Sequence, residues 1–357
     1  MSYSQFTSEA VCAGHPDKVC DQISDAVLDA ALIVDPRARV AVETLATTNK
    51  LVLAGEVSLK GKLDFTDIAR KKMEDLGYGE VEVEVFIHEQ SADIARGVDD
   101  GGAGDQGMMF GYATNETPQL MPLPISIAHD LCRKMDDLQK KYKWLRPDGK
   151  SQVTVNYKDL IPCSIEKIVL AKPMDYRKAP KDVEDFFYET VVIPVLEKYN
   201  FSISEKNIIL NGTGKWEIGG PESDTGVTGR KIVVDTYGGM GRIGGGCFSG
   251  KDPSKVDRSG AYAARFIAKN IVAKKMADRC EVQLAYAIGQ KDPVGKSIDT
   301  FGTAKASQKI IEDYGWKLLN LSVDGIIETL KLYQPIYQNT ARYGHFGYEE
   351  YECEKVI

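Results

Sequence analysis

The sequence predicts an α+β protein in which one structural unit occurs three times. Three runs of apolar residues at helical spacing each follow a motif rich in glycine or charge, within residues 14–34, 101–141 and 250–271. Segments that alternate apolar and polar residues lie between these runs, as half-buried strands do. No literal sequence repeat is visible, so the relation between the units depends on a recurring order of strand, strand and helix.

The individual elements follow from the same periodicities. The first helix ends at Asp35-Pro36, because proline cannot continue a helix. The predicted helices cover residues 19–34, 66–76, 125–141, 183–198, 256–271, 304–314 and 323–333. The predicted strands cover residues 39–46, 51–59, 81–88, 153–157, 165–171, 231–235 and 281–288.

Composition excludes several classes of protein. The chain has 357 residues, of which 43% are hydrophobic and 27% charged, as in soluble globular proteins. Its net charge of −7 argues against a general nucleic-acid or membrane-surface binder. The N-terminus lacks a signal pattern, no apolar run approaches bilayer length, and the 7 cysteines are widely scattered without a C-x-x-C pair. These features predict a cytoplasmic protein with reduced thiols.

The glycine-rich segment 244–258 is the strongest chemical signal. Its glycines let backbone N–H groups approach an anion, and it leads into a helix whose N-terminus favours negative charge. Cationic side chains that could bind phosphate and carboxylates that could bind Mg²⁺ alternate through it: Lys251, Asp252, Lys255, Asp257 and Arg258. A polyphosphate site with metal is therefore favoured over a flexible surface loop.

An ordinary P-loop is disfavoured for the same segment. Gly245, Gly250 and Lys251 satisfy the spacing G-x-x-x-x-G-K. However, Asp252 stands where Ser or Thr should bind Mg²⁺, and no apolar strand directly precedes the loop.

A second charged motif, residues 14–18, begins the first predicted helix. His15, Asp17 and Lys18 could contact an anion and a metal, although an acidic first turn also stabilises any helix dipole. Asp17 begins a stripe of four aspartates spaced four residues apart, and like charges at this spacing are mildly destabilising. We therefore expect most of the stripe to be solvated surface, with Asp17 alone as a ligand candidate.

Three further features leave alternatives open. Asp148 and Lys150 surround a Pro-Asp-Gly turn, which by itself explains the aspartate. Arg230-Lys231 leads into an apolar run that loop chemistry does not explain. Glu43 and Glu56 lie within apolar strands, where they either face outward or are functional.

Taken together, these motifs resemble those of the methionine adenosyltransferase (S-adenosylmethionine synthetase) family. The similarity extends over nearly the whole chain, and the combination is specific although each motif alone is weak. The matching segments are residues 6–9, 14–18, 21–26, 102–107, 111–117, 144–150, 229–239, 244–258 and 343–347.

The resemblance implies a fold, a reaction and cofactors. The fold would have three similar α/β domains related by pseudo-threefold symmetry, at residues 1–100, 101–217 and 218–357. The subunit would form a homodimer, or a dimer of dimers, with active sites between subunits. ATP and L-methionine would give S-adenosylmethionine, and the tripolyphosphate would be cleaved to phosphate and pyrophosphate. Two Mg²⁺ per site and K⁺ would take part, with no nucleic-acid or membrane partner.

The resemblance also implies roles for individual residues. The catalytic set would be His15, Lys150, Arg230, Lys251 and Lys255. ATP would be bound by His15, Asp105, Asp148, Lys150, Lys215, Trp216, Asp224, Arg230, Lys231, Cys247, Lys251 and Lys255. Methionine would be bound by Glu56, Gln90, Asp224 and Lys255. Mg²⁺ would be held by Asp17 and Asp257 and K⁺ by Glu43, while residues 91–104 would act as a gate.

The segment between Tyr78 and Gln90 looks shorter than in many relatives, and two further departures from the family pattern fall on residues expected to bind ATP. Lys215-Trp216 stands where the family often has Arg-Phe, but Trp216 keeps an aromatic face for adenine. Cys247 replaces the more usual alanine, which places an oxidisable thiol beside ATP. Two alternative functions also stay open: another ATP-dependent phosphotransferase, and a regulatory subunit that binds nucleotide without catalysis.

Overall fold

The structure is a computed structural model that describes residues 4–89 and 101–357. The strands are β1 (Gln5–Val11), β2 (Arg39–Thr47), β3 (Lys50–Ser58), β4 (Glu82–His88), β5 (Gly107–Thr114), β6 (Lys150–Lys158), β7 (Ile161–Ala171), β8 (Ile208–Leu210), β9 (Gly226–Val227), β10 (Arg279–Tyr286) and β11 (Gly295–Asp299). The helices are α1 (Pro16–Val34), α2 (Phe65–Asp75), α3 (Leu123–Lys141), α4 (Val183–Phe187), α5 (Ile193–Glu197), α6 (Ile232–Asp235), α7 (Val256–Ala273), α8 (Gln308–Gly315), α9 (Val323–Thr329) and α10 (Tyr337–Thr340).

In the described part of the chain the strands form three sheets that follow one plan. Their strand orders are β1-β6-β7-β8, β4-β3-β2-β9 and β11-β10-β5. In the first two sheets an antiparallel hairpin is extended on one side by a parallel strand, β8 or β4. The third sheet has the hairpin β10-β11 without a parallel fourth strand. This recurrence confirms the predicted α+β architecture of three related units.

Each sheet also takes one strand from another part of the sequence. β1 pairs with β6, β5 pairs with β10 and β9 pairs with β2, all antiparallel. The three units therefore interlock in a cycle, because every unit lends a strand to a neighbour. This exchange fixes the loops between the units, where charged side chains gather.

One long helix covers the inner face of each sheet. α1 packs on β2 and β9, α3 on β1 and β6, and α7 on β5 and β10. A single glycine allows the closest of these approaches, since a Cβ on Gly111 would lie 2.0 Å from the backbone carbon of Ala264 in α7. The core is formed where these helices meet the sheets, with side chains such as Ile23, Val153 and Ile267 fully buried.

Several elements differ from the sequence prediction. Residues 231–235, predicted as a strand, contain the short helix α6. The predicted helix 183–198 is divided by a π-helical turn at Tyr188–Val192. The predicted helix at 304–314 begins only at Gln308, after the N-cap Ser307. Strands β1, β5, β8, β9 and β11 were not predicted. None of the described helices combines the length and the apolar content needed to cross a membrane.

Candidate active site

The aspartate stripe of α1 is buried, so the expectation of a solvated surface is wrong. Each of its carboxylates accepts a backbone N–H from a segment outside α1, at 2.8 or 2.9 Å. The pairs are Asp17 with Val227, Asp21 with Gly229, Asp25 with Gly250 and Asp29 with Tyr337. Amides and cations of the surrounding loops offset the repulsion between neighbouring aspartates, which spacing alone could not reveal. The stripe thus anchors the loops that carry Arg230, Lys231 and Lys251.

His15 is the N-cap of α1 and is almost fully buried. Its Nδ1 accepts a hydrogen bond from the backbone N–H of Asp17 at 3.2 Å, so the proton of the neutral ring lies on Nε2. Burial, followed by the charges of Lys231 and Lys150, lowers the pKa of His15 to about 3. At neutral pH the side chain is therefore an uncharged donor at Nε2.

Asp17 is the carboxylate at the N-terminal end of α1 (the α1 mouth). Its Oδ2 lies 2.6 Å from the Lys231 ammonium, and its Oδ1 lies 3.7 Å from Nε of the exposed Arg230. Burial favours a higher pKa, but the hydrogen bonds from Lys231 and from the Val227 amide outweigh it and lower the pKa of Asp17. Asp17 is therefore ionised and held by two loop segments at once.

The turn before β6 lies beside the same helix mouth. Asp148 is buried, and its two oxygens accept backbone N–H groups from Gly149 at 2.6 Å and Gly220 at 2.8 Å. Burial raises the pKa of Asp148 to about 6. The carboxylate thus shapes the turn and ties it to the 219–220 loop, as the turn interpretation predicted. Lys150, the first residue of β6, is exposed.

The glycine-rich segment 244–258 (the glycine loop) forms a second charged helix N-terminus, that of α7 (the α7 mouth). Lys251 and Asp257 form a close ion pair. Gly246 lies directly behind that carboxylate, since a Cβ there would fall 2.1 Å from the Asp257 carboxyl carbon. Lys255 is the N-cap residue and bonds Asp252 at 2.5 Å.

Two residues of this loop serve the fold instead of facing a ligand. The oxygens of buried Asp252 accept the backbone N–H of Val40 at 2.7 Å and the N–H and O–H of Ser254 at 2.9 and 2.6 Å. Arg258 is fully buried and forms a bidentate ion pair with Asp25, at 2.7 and 2.8 Å. The sequence motif correctly indicated a charge cluster but not which charges point inward.

Cys247 joins the two charged regions. A Cβ on Gly229 would lie 2.6 Å from the Cys247 Cβ and 2.7 Å from its sulfur. Gly229 has a φ of +82°, so glycine is required there on both steric and backbone grounds. Burial raises the pKa of the Cys247 thiol to about 11, which weakens the premise that this thiol is readily oxidised.

The remaining predicted site residues lie on other segments of the chain. Lys215 lies over the Tyr176 ring at 5.4 Å, and the half-buried Trp216 donates its indole N–H to the Ile218 carbonyl at 2.7 Å. Glu43, Glu56, Asp105 and Asp224 are exposed. Gln90 and residues 91–100 of the predicted gate lie outside the described residues.

Some residues that support the loops of the site were not predicted from the sequence. Tyr78 donates its hydroxyl to the carbonyl of Gly14, and Asp136 and Lys172 form a buried pair near the same loop. These residues belong to no motif, and only their burial in the folded chain singles them out. Within the described residues, no group of three or more His, Cys, Asp or Glu side chains is placed to hold a metal ion.

These features define a class before any comparison: an interlocked α+β protein with anion-binding chemistry at two helix N-termini. Three family models match the chain, those of the N-terminal (residues 3–100), central (100–216) and C-terminal (218–355) domains of S-adenosylmethionine synthetase. An S-adenosylmethionine synthase of Sorangium cellulosum is 49% identical, over 100% of this chain and 88% of the relative. One of Treponema denticola is also 49% identical, over 98% of this chain and 95% of the relative.

The chain belongs to the S-adenosylmethionine synthetase family, whose members are methionine adenosyltransferases. This confirms the family and the fold class predicted from the motifs.

Proposed function

We propose that this chain forms S-adenosylmethionine from ATP and L-methionine and then cleaves the tripolyphosphate to phosphate and pyrophosphate. One observation carries the proposal: two helix N-termini each pair a carboxylate with a loop lysine, Asp17 with Lys231 and Asp257 with Lys251. Each pair offers a cation to a phosphate and leaves a carboxylate for its counter-ion. A triphosphate has enough charge and length to engage both.

The step that forms the S–C5′ bond needs no general base, and the later cleavage of the tripolyphosphate consumes one water. A sulfur lone pair of methionine forms the S–C5′ bond, and the C5′–O5′ bond breaks with its electron pair leaving on the triphosphate. The sulfur of methionine carries no proton, so catalysis consists of positioning and of stabilising charge on the leaving group. We assign that stabilisation to Lys150, Arg230, Lys251 and Lys255, with the Nε2–H of His15 donated to the oxygen that leaves C5′.

The two lysine-paired carboxylates suit Mg²⁺, although the described residues contain no cluster of three possible metal ligands. Mg²⁺ usually takes one or two protein carboxylates and completes its shell with waters and substrate phosphates. Asp17 and Asp257 would each supply one such oxygen to a nucleotide-bound ion, which would neutralise charge on the triphosphate. Lys231 and Lys251 would then turn from these carboxylates to phosphate oxygens. The exposed carboxylate of Glu43 would hold K⁺.

The substrates would bind between and beside the N-termini of α1 and α7. The proposed ATP contacts include Asp105, Lys215 and Trp216, with Asp148 and Cys247 shaping the loops beside them. Methionine would be bound by Glu56, Gln90, Asp224 and Lys255. We retain residues 91–104 as the proposed gate.

The outer face of the β2-β3 sheet supports assembly as a homodimer, which could pair further into a dimer of dimers. Glu43, Ala54 and Phe86 lie side by side on this face, and all three are exposed. Leu45 adds a further exposed apolar side chain. An apolar face with carboxylates embedded in it suits a second copy of the chain better than water. Active sites between subunits would place Glu43 and Glu56 at such an interface.

The experiment is to incubate the purified chain with ATP, methionine, Mg²⁺ and K⁺ and to follow all products. The proposal predicts methionine-dependent S-adenosylmethionine together with equal amounts of phosphate and pyrophosphate. Transfer of the γ-phosphate to an acceptor would indicate the phosphotransferase instead. Nucleotide binding without any turnover would indicate the regulatory subunit.

A further inference from the structure

A buried ion pair lies beneath the α1 mouth, outside the residues assigned to catalysis or to ligand binding. The Lys172 ammonium at the end of β7 lies 3.2 Å from Oδ1 of Asp136 in α3. Lys172 is fully buried and Asp136 nearly so. Neither side chain borders the charged mouths, and the proposed mechanism uses neither.

The pair bonds the two loops that carry His15 and Lys150, two of the proposed catalytic residues. The backbone N–H of Ala13, two residues before His15, donates to Oδ2 of Asp136 at 2.8 Å. The Lys172 ammonium donates to the carbonyl of Pro147, three residues before Lys150, at 3.3 Å. One ion pair therefore sets the distance between the His15 loop and the Lys150 turn.

The two loops also touch each other with little tolerance. The backbone N–H of Cys12 donates to the Gly149 carbonyl at 2.9 Å. A Cβ on Gly14 would lie 2.5 Å from the Pro147 Cβ. A shift of either loop is therefore passed directly to the other, because packed backbone segments cannot absorb it.

A contribution to stability alone does not explain this pair. The cost of desolvating two buried charges offsets most of their attraction, so an apolar pair of similar volume is often as stable. What an apolar pair cannot supply is directional bonds to the amide of Ala13 and the carbonyl of Pro147. The hydroxyl of Tyr343 adds a third anchor, donating to Asp136 Oδ2 at 2.7 Å.

We infer that Lys172 and Asp136 are positioning residues that hold His15 and Lys150 at the spacing needed to stabilise the departing triphosphate. The inference depends on the proposed function, since it assigns these two side chains to that reaction. Production of S-adenosylmethionine by the unaltered chain tests the function separately and is measured first.

The test compares Lys172→Met with Lys269→Met. Lys269 is a matched control, because it is also a buried lysine in an ion pair, 2.8 Å from Glu354, yet lies in the second half of α7. Lys172→Met should lower the unfolding temperature at least as much as Lys269→Met, because Glu354 keeps its ion pair with Arg265 in the control, so both variants are assayed well below either unfolding temperature. Lys172→Met alone should lower kcat, by about 10²-fold if the loops shift by about 1 Å. The KM for methionine should stay within about twofold in both variants, since ground-state binding is not the property that Lys172 controls.

An unchanged kcat in Lys172→Met, or an equal loss in Lys269→Met, would overturn the inference. If Lys172→Met does not fold, Tyr343→Phe serves as the second variant, because it removes one hydrogen bond to Asp136 and leaves the ion pair. It should lower kcat by about threefold or more, whereas a kcat equal to that of the unaltered chain would contradict the positioning role.

Discussion

The N-termini of α1 and α7 are built from the same parts but held to different degrees. Each has a carboxylate at its second helical residue, Asp17 or Asp257, paired with a lysine from a loop. Asp17 also accepts the amide of Val227, and its side chain is 4% exposed. The Asp257 side chain is 15% exposed and lies against Gly246 of the glycine loop. The carboxylate of the α1 mouth is thus bonded by more groups and is less exposed than the carboxylate of the α7 mouth.

The third long helix, α3, has an N-terminus that differs from those of α1 and α7. Its first turn carries no acidic residue, and its capping carboxylate comes from Glu116, which accepts the Leu123 N–H at 3.0 Å. Glu116 is in turn bonded by Arg279 at 2.9 Å. In the described chain, α1 and α7 therefore each begin with a carboxylate paired to a loop lysine. The N-terminus of α3 is instead capped by the carboxylate of Glu116. The same fold unit is thus proposed to bind a ligand at two helix N-termini, while at the third the carboxylate caps the helix.

The largest effect is expected from neutralising the two carboxylates. Asp17→Asn and Asp257→Asn should each lower kcat/KM for ATP by about 10²- to 10³-fold, since each removes a proposed ligand of the Mg²⁺ that would neutralise the triphosphate. Only Asp17→Asn should also cost about 2 kcal/mol of stability, because Asp17 is 4% exposed and its carboxylate bonds both Lys231 and the Val227 amide. For Asp257→Asn the loss should stay below about 1 kcal/mol. Product formation and urea unfolding measure the two effects; equal stability losses would contradict the contrast between the mouths.

The buried histidine makes the α1 mouth sensitive to acid. His15 has a pKa lowered to about 3 in the folded chain, whereas in the unfolded chain it binds a proton below about 6.5. Acid therefore favours unfolding of the unaltered chain, and His15→Gln removes this term. Between pH 7 and pH 5 the stability difference should move in favour of His15→Gln by about 2 kcal/mol. A difference that stays constant over this range would show that His15 is not held neutral.

The glycine loop should respond to added volume at one position and not at its neighbour. Gly246→Ala places a Cβ against the Asp257 carboxylate and should raise the KM for ATP about tenfold by displacing it. Gly245→Ala is the matched control, because nothing lies within 4 Å of a Cβ there. Steady-state kinetics on both variants decide the matter, and identical KM values would remove Asp257 from nucleotide binding.

The smallest effect is expected at Cys247. With a pKa raised to about 11, little of its thiol is ionised at pH 7, so iodoacetamide should modify it far more slowly than the exposed Cys163. Cys247→Ala should keep activity within about twofold, as judged by product formation. In a Cys163→Ser background, inactivation should accelerate as pH rises toward 10 and disappear in Cys247→Ala. If iodoacetamide inactivates Cys163→Ser and the double variant Cys163→Ser, Cys247→Ala at the same rate, modification of Cys247 is not the cause of inactivation.

The long helices were predictable because their buried apolar residues recur at helical spacing along the sequence. Much of the site was not predictable. Periodicity identified α1 and α7, and glycine and charge identified their starts. β9 has two residues and carries no pattern of its own. The apolar run 231–235 resembles a strand, yet it forms α6, with Lys231 and Asp235 paired to Asp17 and Lys18 of α1. Such tertiary contacts override local propensity, and they also hid the burial of the aspartate stripe.

The two charged mouths are proposed to serve one triphosphate, and because active sites are proposed to lie between subunits, we place the α1 mouth of one subunit opposite the α7 mouth of its partner. Mixing Asp17→Asn with Asp257→Asn chains tests this directly, since a heterodimer would then contain one site with both carboxylates. If subunits exchange freely, half of the dimers are mixed and half of their sites intact, so about a quarter of the unaltered activity should return. Activity no higher than that of either variant alone would contradict the claim.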